Sequence, residues 1–288
     1  MIETITALGR LRERILGWRR EGLRIGFVPT MGNLHAGHYS LIALTRQHAD
    51  RVISSVFVNP TQFGPNEDFT RYPRTPEADT SGLQAAGCDA LWLPTVESMY
   101  PFGVERAVRM RVPGVADVLE GRHRPGHFDG VCTVVARLFN QVQPDVAAFG
   151  KKDFQQLAVI QQMVTDLAYP LTLLRGDIVR EADGLAMSSR NQYLGAEERE
   201  TAAEIHRTLR FMRERLREGA ARGVVEAEAA LRLVQAGFVV DYTALRTPDL
   251  AEPADAPEQY AQPGPRVALI AAKLGRTRLI DNLEFELG

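Results

Sequence analysis

Two histidines three residues apart, His35 and His38, lie in the segment FVPTMGNLHAGHYSL (27–41), which also contains Gly32 and Gly37. A strand that runs into a glycine-containing turn and then a helix places free backbone N–H groups at the carboxyl edge of a sheet. Residues at i and i+3 share one face of the first helical turn, where two imidazoles could donate hydrogen bonds to a negatively charged phosphate. The segment therefore predicts an anion site. Two alternatives remain open: an ordinary turn in which one histidine caps the helix, or half of a metal site that needs further ligands.

A second segment with phosphate-binding potential, FGKKDFQQ (149–156), directly follows a predicted strand. Lys152 could reach a phosphate, and Asp153 could accept hydrogen bonds from ribose hydroxyls. The alternative is a solvated helix start in which Asp153 is the N-cap. The sequence lacks GxxxxGK[ST], and no GxGxxG follows the first strand, so the common nucleotide-binding fingerprints are absent.

A third segment, GLAMSSRNQYL (184–194), offers hydroxyl donors from Ser188 and Ser189 and the guanidinium of Arg190. This combination suits a phosphate. The alternative is a Ser/Asn turn with a surface arginine. The basic loop EGRHRPGHFDG (120–130) is ambiguous in the same way.

Composition places the chain among ordinary globular proteins. Apolar residues make up 45% of the 288 residues, charged residues make up 24%, and the formal net charge is −2. A protein that binds nucleic acid over a broad surface would be strongly basic. Cys88 and Cys132 lack metal-ligand spacing, which favours small buried side chains in a reducing compartment. The N-terminal segment has no apolar signal region, and no apolar run approaches the length of a membrane span. We expect a cytoplasmic protein.

Strands that alternate with helices over the first 175 or so residues predict an α/β fold with a mainly parallel sheet. The remainder predicts a smaller α+β domain, and we place the domains at residues 1–177 and 178–288. The expected helices are 3–20, about 37–50, one ending near 86, 130–142, 153–167, a single one over 195–220, and 224–236; the expected strands are 24–30, 51–58, 89–94, 144–150, 171–180, 237–247, 266–275 and 277–286. A long loop over 59–79 and an exposed connection over 248–265 complete the assignment.

Six motifs in this order resemble the pantoate–β-alanine ligase family: PTMGNLHAGH, FVNPTQF, YPRT, RPGHFDGV, FGKKDFQQ and MSSRN. The resemblance runs from about residue 24 to 194 and continues more weakly at RLIDN (278–282). The first motif is also similar to the HxGH signature of a wider nucleotidyltransferase superfamily that includes class I aminoacyl-tRNA synthetases. The resemblance implies a Rossmann-like ATP- and pantoate-binding domain with a C-terminal lid domain that excludes water.

The resemblance also implies the reaction. The pantoate carboxylate attacks the α-phosphate of ATP to give pantoyl adenylate and pyrophosphate, and the amine of β-alanine then displaces AMP to give pantothenate. Mg²⁺ would be bound through the ATP phosphates rather than directly by the protein, with Asp79 as an indirect partner. Members of the family are commonly homodimers, so the same assembly is expected here.

Site residues follow from the motifs by the same resemblance. Catalytic residues would be His35, His38, Lys152 and Arg190, with His38 as the proton donor. Pantoate and β-alanine would be bound by Gln62, Gln156 and Asn59. The ATP-binding residues would be Met31, Gly32, Asn33, Leu34, His35, Ala36, Gly37, His38, Gly150, Lys151, Lys152, Asp153, Val179 (to adenine through its backbone), Met187, Ser188, Ser189 and Arg190.

Two positions depart from the family pattern: Asn33 where Ala is common, and Lys151 where Glu is common. Asparagine is compatible with a turn, and Lys151 adds positive charge next to Lys152. Two other functions remain open: a nucleotidyltransferase that shares the HxGH site and keeps the nucleotide on its product, and a non-enzymatic RNA-binding relative of the synthetases. Gln62, Gln156 and the 59–79 loop fit a small hydroxy acid and favour the ligase over the nucleotidyltransferase. The slightly negative net charge and the lack of a basic face count against RNA binding.

Overall fold

Two units make up the protein, one of residues 1–151 and 155–177 and the other of residues 152–154 and 178–288. The computed structural model describes residues 2–64, 69–251 and 263–288. The predicted loop over 59–79 and the predicted connection over 248–265 therefore lie partly outside the described residues. Among the described helices, none has both the length and the apolar character needed to cross a bilayer.

Six parallel strands form the sheet of the first unit, which confirms the predicted mainly parallel sheet. The strands are β1 (Glu3–Ile5), β2 (Ile25–Thr30), β3 (Arg51–Val56), β4 (Ala90–Trp92), β5 (Val146–Gly150) and β6 (Thr172–Gly176), in the order β1-β4-β3-β2-β5-β6. The helices are α1 (Leu8–Arg20), α2 (Ala36–Arg46), α3 (Pro76–Ala85), α4 (Val96–Met99), α5 (Glu120–His123), α6 (His127–Val142) and α7 (Phe154–Asp166).

The central strands of the sheet, β2 to β5, are buried on both faces. Phe27 packs in a core cluster with residues of α1, α6 and α7, whereas its neighbour Val28 packs in a second cluster with residues of α2 and α3. Successive side chains of a strand point to opposite faces, so both faces of β2 are covered by helices. This double burial explains why the strands read as nearly continuous apolar runs in the sequence.

Strands β2 and β5 separate towards their carboxyl ends. β2 pairs with β3 along its whole length, from Ile25 to Thr30, but it pairs with β5 only at Gly26 and Phe27. Pro29, which has no N–H to donate, lies in the part of β2 that only β3 pairs. The chain leaves β2 towards β3 through α2, and β5 lies on the opposite side. This is a topological switch point, where open α/β sheets bind ligands.

The second unit is an α+β structure, as predicted. Its elements are a 3₁₀ turn (Ser189–Tyr193), the helices α8 (Ala196–Ala202), α9 (Glu204–Arg217) and α10 (Arg222–Gln235), and the strands β7 (Val239–Arg246), β8 (Gly264–Leu274) and β9 (Thr277–Leu287). The strands form an antiparallel sheet in the order β7-β8-β9. Leu209, Val225 and Ile270 are fully buried in the core between helices and sheet.

Two predicted helices are wrong in detail. The helix expected over 3–20 begins only at Leu8, because Glu3–Ile5 pair with β4 as an edge strand. Three residues are too few to carry a periodic signal, and their partner is distant in sequence. The single helix expected over 195–220 is divided at Ala203 into α8 and α9, although no glycine or proline marks the break.

A buried carboxylate of α3 fixes the loop between β2 and α2. The Asn33 and Leu34 N–H groups donate to the two carboxylate oxygens of Asp79 at 3.0 and 2.8 Å, and the Thr75 hydroxyl donates at 3.1 Å. Asp79 is only 2% exposed. Gly32 has φ +87°, and a Cβ there would lie 3.0 Å from Asp79 Oδ2. The loop therefore requires glycine at 32 and depends on an anion that the protein itself supplies.

We expect Asp79→Asn to lower the free energy of unfolding by about 2 kcal/mol, because the amide has one acceptor oxygen for two half-buried backbone donors. Urea unfolding measures this change, and amide hydrogen exchange at Asn33 and Leu34 should accelerate. Asp166→Asn, at an exposed position on α7, is the matched control and should stay within about 0.5 kcal/mol of the parent. Parent-like stability and exchange in Asp79→Asn would show that the carboxylate does not hold the loop.

Candidate active site

His35 and His38 form a reciprocal cap at the start of α2. The His35 ring accepts the Gly37 N–H through Nδ1 at 3.2 Å, and the His38 ring accepts the His35 N–H through Nδ1 at 3.2 Å. The two ring centroids lie 4.2 Å apart. His35 is the N-cap of α2, so the helix-capping alternative is part of the structure. The anion-site prediction therefore depends on whether the other nitrogen of each ring, Nε2, can donate a hydrogen bond.

The hydrogen bonds fix the tautomer of both histidines. A ring nitrogen that accepts a hydrogen bond carries no proton, so each neutral imidazole carries its proton on Nε2. Both rings are half-buried. The pair therefore presents two Nε2–H donors beside the positive end of the α2 dipole. Such donors, held in place before a reaction begins, suit an oxygen that gains negative charge.

The expectation of free backbone N–H groups in this loop is corrected. The Asn33 and Leu34 N–H groups bind Asp79, and the Gly37 N–H binds His35. The sequence indicated a turn but not these acceptors, since Asp79 lies 45 residues away from its donor Leu34. The histidine side chains, rather than these backbone donors, are the groups that the loop offers to an anion.

The predicted acid-binding residues Asn59 and Gln62 contact each other and the histidine loop. The Gln62 amide donates to Met31 Sδ at 2.9 Å, and its oxygen accepts from Asn59 at 3.2 Å. Asn59 is 1% exposed, and it also donates to the Gly130 carbonyl and accepts from the Tyr100 hydroxyl at 2.6 Å. The side-chain amide of Asn59 thus forms its hydrogen bonds within the protein, one of them with Gln62.

The start of α6 supports Gln62 from another side. His127 Nδ1 lies 2.8 Å from the Gln62 carbonyl, and Arg124 lies 3.0 Å from His127 Nε2. Because arginine can only donate, Nε2 accepts and Nδ1–H donates to the carbonyl. Gly130 has no room for a side chain, since a Cβ would lie 2.3 Å from the Thr61 carbonyl oxygen. The FVNPTQF and RPGHFDGV motifs are thus packed together.

Tyr100 and His127 are site-supporting residues for which we made no prediction from the sequence. Burial raises the pKa of Tyr100, so its hydroxyl stays protonated and donates to Asn59. His127 lies in a motif that carried the family resemblance, so a signal for it existed. Tyr100 had no comparable signal, because its partner is 41 residues away.

The end of β5 carries the second predicted segment. Gly150 ends the strand, and Lys151 Nζ lies 2.7 Å from Asp177 Oδ1, an exposed carboxylate. This pair offsets the extra charge that Lys151 adds next to Lys152. On α7, the side-chain amide of the buried Gln155 forms hydrogen bonds with backbone groups in and before α5. Its neighbour Gln156 is half-buried and makes no side-chain hydrogen bond within the described part of the chain.

The remaining predicted residues belong to the second unit. Val179 and Met187 lie side by side, because the Met187 N–H donates to the Val179 carbonyl at 2.9 Å. Ser188 caps the following 3₁₀ turn, where its hydroxyl oxygen accepts the Arg190 N–H at 3.3 Å. Lys152 and Asp153, in the turn before α7, are grouped with this unit. The structure thus brings together Met31–His38 with Asn59 and Gln62 in one unit, and Val179 with Met187–Arg190 in the other.

Comparisons with known proteins identify the family of the chain. The family model for pantoate-beta-alanine ligase matches residues 3–284. A pantothenate synthetase from Xanthomonas campestris pv. campestris (strain B100) is 69% identical over 99% of this chain and 100% of its own length. One from Xanthomonas oryzae pv. oryzae (strain MAFF 311018) is 68% identical over the same shares.

Solved structures give the same result. The pantothenate synthetase of Thermus thermophilus superposes with a TM-score of 0.88 at 42% identity, covering 98% of this chain and 99% of that one. A pantoate-beta-alanine ligase from Francisella tularensis, complexed with beta-gamma ATP and beta-alanine, gives 0.82 at 30% identity, covering 98% and 97%. The resemblance inferred from the motifs is confirmed: the chain is an enzyme that belongs to the pantoate–β-alanine ligase family.

Proposed function

We propose that this enzyme condenses pantoate with β-alanine through a pantoyl-adenylate intermediate and releases AMP and pyrophosphate. The observation that carries the proposal is the histidine pair, which presents two Nε2–H donors at the switch point of the sheet and lies in the same loop as the Gln62 contact. The family membership supports it, as does the relative from Francisella tularensis that was crystallised with beta-gamma ATP and beta-alanine.

In the first step, a pantoate carboxylate oxygen attacks the α-phosphorus of ATP. The bond between that phosphorus and the bridging oxygen breaks, and the electron pair leaves with pyrophosphate. Negative charge grows on the phosphate oxygens as the bond breaks. His35 and His38 donate hydrogen bonds to these oxygens, and His38 is the proton donor of the pair. A carboxylate is a poor acyl donor at neutral pH, and adenylation gives it a good leaving group.

The acid is bound by amides. Gln62 uses its oxygen and one N–H inside the protein, so its second N–H is the donor that is offered to pantoate. Gln156, whose amide makes no hydrogen bond within the described residues, binds the hydroxylated acid from α7. Asn59 holds Gln62 and takes no direct part.

In the second step, the neutral amine of β-alanine attacks the acyl carbon, and the electron pair of the broken C–O bond leaves with AMP. The nitrogen gives up one proton to water as the amide forms. We infer that the second unit closes over the adenylate, because water would otherwise hydrolyse it.

The nucleotide is bound by the segments that follow β2 and β5 and by the second unit. Met31 to His38 line the ATP site together with Gly150 and Lys151. Lys152 binds a phosphate, Asp153 binds the ribose, and the Val179 backbone binds adenine. Met187, Ser188, Ser189 and Arg190 complete the phosphate contacts, with Lys152 and Arg190 as catalytic cations.

Magnesium fits this scheme as a companion of the nucleotide. Within the described residues, no group of three His, Cys, Asp or Glu side chains could hold a metal ion. Both oxygens of Asp79 already accept hydrogen bonds from the loop and from Thr75, so Asp79 acts through the loop. Mg²⁺ would be held by the ATP phosphates and would neutralise part of their charge. The family resemblance also leads us to propose a cytoplasmic homodimer.

Omission of each substrate in turn tests the function. With ATP, Mg²⁺, pantoate and β-alanine present, we expect AMP and pantothenate in equal amounts, and with β-alanine omitted, pantoate-dependent ATP–pyrophosphate exchange. A product that retains the nucleotide would instead identify a nucleotidyltransferase. Exchange that does not require pantoate would contradict the adenylate step.

Two substitutions should separate the two sides of the site. His38→Ala should lower turnover by about 100-fold or more while lowering the free energy of unfolding by about 1 kcal/mol, because the cap is minor and the donor is catalytic. Gln156→Ala should raise the KM for pantoate more than the KM for ATP. His48→Ala and Gln161→Ala, at exposed positions, are the matched controls. An active His38→Ala enzyme would remove His38 from the mechanism. A Gln156→Ala enzyme in which the KM for ATP rises more than the KM for pantoate would remove Gln156 from the pantoate site.

A further inference from the structure

An ion pair between a half-buried arginine and a buried aspartate lies in the second unit. Arg180 donates to both carboxylate oxygens of Asp281, from Nη1 at 2.6 Å and from Nη2 at 3.0 Å. Asp281 is 5% exposed. Two parallel charge-assisted hydrogen bonds fix both partners, and removing one partner would leave the other buried and unpaired. The pair therefore acts as one rigid element.

Arg180 also donates from Nη1 and Nη2 to two backbone carbonyls. Nη1 donates to the Gly184 carbonyl at 3.0 Å, and Nη2 donates to the Asn282 carbonyl at 3.1 Å. Gly184 lies in the turn of a short hairpin, and Asn282 lies on β9. The same guanidinium thus ties this hairpin to the sheet of the second unit.

This hairpin carries two predicted ATP-binding residues at its open end. Arg180 and Ala186 form an antiparallel bridge, and Val179 and Met187 follow immediately outside it, joined by a backbone hydrogen bond of 2.9 Å. Burial, and to a lesser extent the charge of Arg180, lower the pKa of His206, which lies against Gly184. His206 is therefore neutral at pH 7, and Arg180 supplies the positive charge that faces Asp281.

The ion pair of Arg180 and Asp281 is also connected to Lys152, through Asn282, the residue that follows Asp281 on β9. The Asn282 N–H donates to Asp281 Oδ1 at 2.8 Å, and the Asn282 side-chain amide donates to the Lys152 carbonyl at 2.9 Å. Asn282 is 2% exposed. The backbone of Lys152 is thereby fixed to the same carboxylate that orders the hairpin. The RLIDN motif, which the reaction chemistry did not use, is where these contacts meet.

We propose that Asp281 and Asn282 are positioning residues for the nucleotide step, with Asn282 holding Lys152 and Asp281 holding the hairpin of Val179 and Met187 in register with it. The proposal rests on the proposed function, in which Lys152 binds a phosphate. A lysine on a short turn has a long, freely rotating side chain, so fixing its backbone reduces the range of its ammonium group. Misplacement of a binding group by about 1 Å can cost about 100-fold in rate.

A double-mutant cycle on pantoate-dependent ATP–pyrophosphate exchange tests the proposal. Asn282→Ala should lower kcat for exchange about tenfold, the equivalent of one hydrogen bond, and leave the KM for pantoate unchanged. In a Lys152→Ala background, the same substitution should have less than about a twofold effect, because the residue acts through Lys152. Asn282→Asp retains the volume but loses the donor, so it serves if Asn282→Ala does not fold.

Thr243→Val is the matched control. Its hydroxyl donates to the Glu226 carbonyl at 2.7 Å, so the variant also loses one side-chain hydrogen bond to backbone in the second unit. It should lose comparable stability and keep the parent rate. Equal, additive losses from Asn282→Ala in both backgrounds, or a parent-like rate, would overturn the proposal. A parent enzyme without pantoate-dependent exchange would overturn the proposed function instead.

Discussion

The candidate active site depends on one interaction, the binding of two backbone N–H groups by the buried carboxylate of Asp79. A carboxylate that is almost removed from water is stable as an anion only when donors surround it. Here the donors are Asn33 and Leu34, with Thr75 beside them. The loop after β2 gains a fixed shape from this interaction, and Asn33 is held at φ +52°, a conformation that asparagine tolerates better than alanine. Helix α2 can begin only where that loop ends.

The position of α2 determines what the histidines can do. His35 caps the helix, and His38 accepts the His35 N–H, so each Nδ1 is used by the backbone and each Nε2 keeps its proton. In each ring, Nδ1 therefore stabilises the start of the helix, and Nε2 is the donor for the reaction. The separation of β2 from β5 opens the edge of the sheet at this point, and the contact between Gln62 and Met31 connects the acid-binding residues to the same loop.

The sequence was sufficient for the fold class because apolar strands alternate with amphipathic helices, and a buried parallel sheet is the arrangement that this pattern favours. It was also sufficient to predict that His35 and His38 share one face of the helix, which follows from helical spacing alone. It could not show that Asp79 binds Asn33 and Leu34, or that Tyr100 binds Asn59, because those contacts join residues more than 40 positions apart. The break at Ala203 was missed for a related reason, since no residue there disfavours a helix and only tertiary packing can select it.

The most direct test of this account is the protonation of the two imidazoles, measured by ¹⁵N NMR of histidine-labelled enzyme at a pH above the titration of both rings. Long-range ¹⁵N–¹H correlations distinguish the two neutral tautomers, and His35→Asn and His38→Asn variants assign the signals. The account predicts that His35 and His38 are both protonated on Nε2, with Nδ1 shifted as expected for a hydrogen-bond acceptor. Protonation of either ring on Nδ1 would contradict it, because that ring could then neither cap the helix as described nor donate from Nε2 to a phosphate.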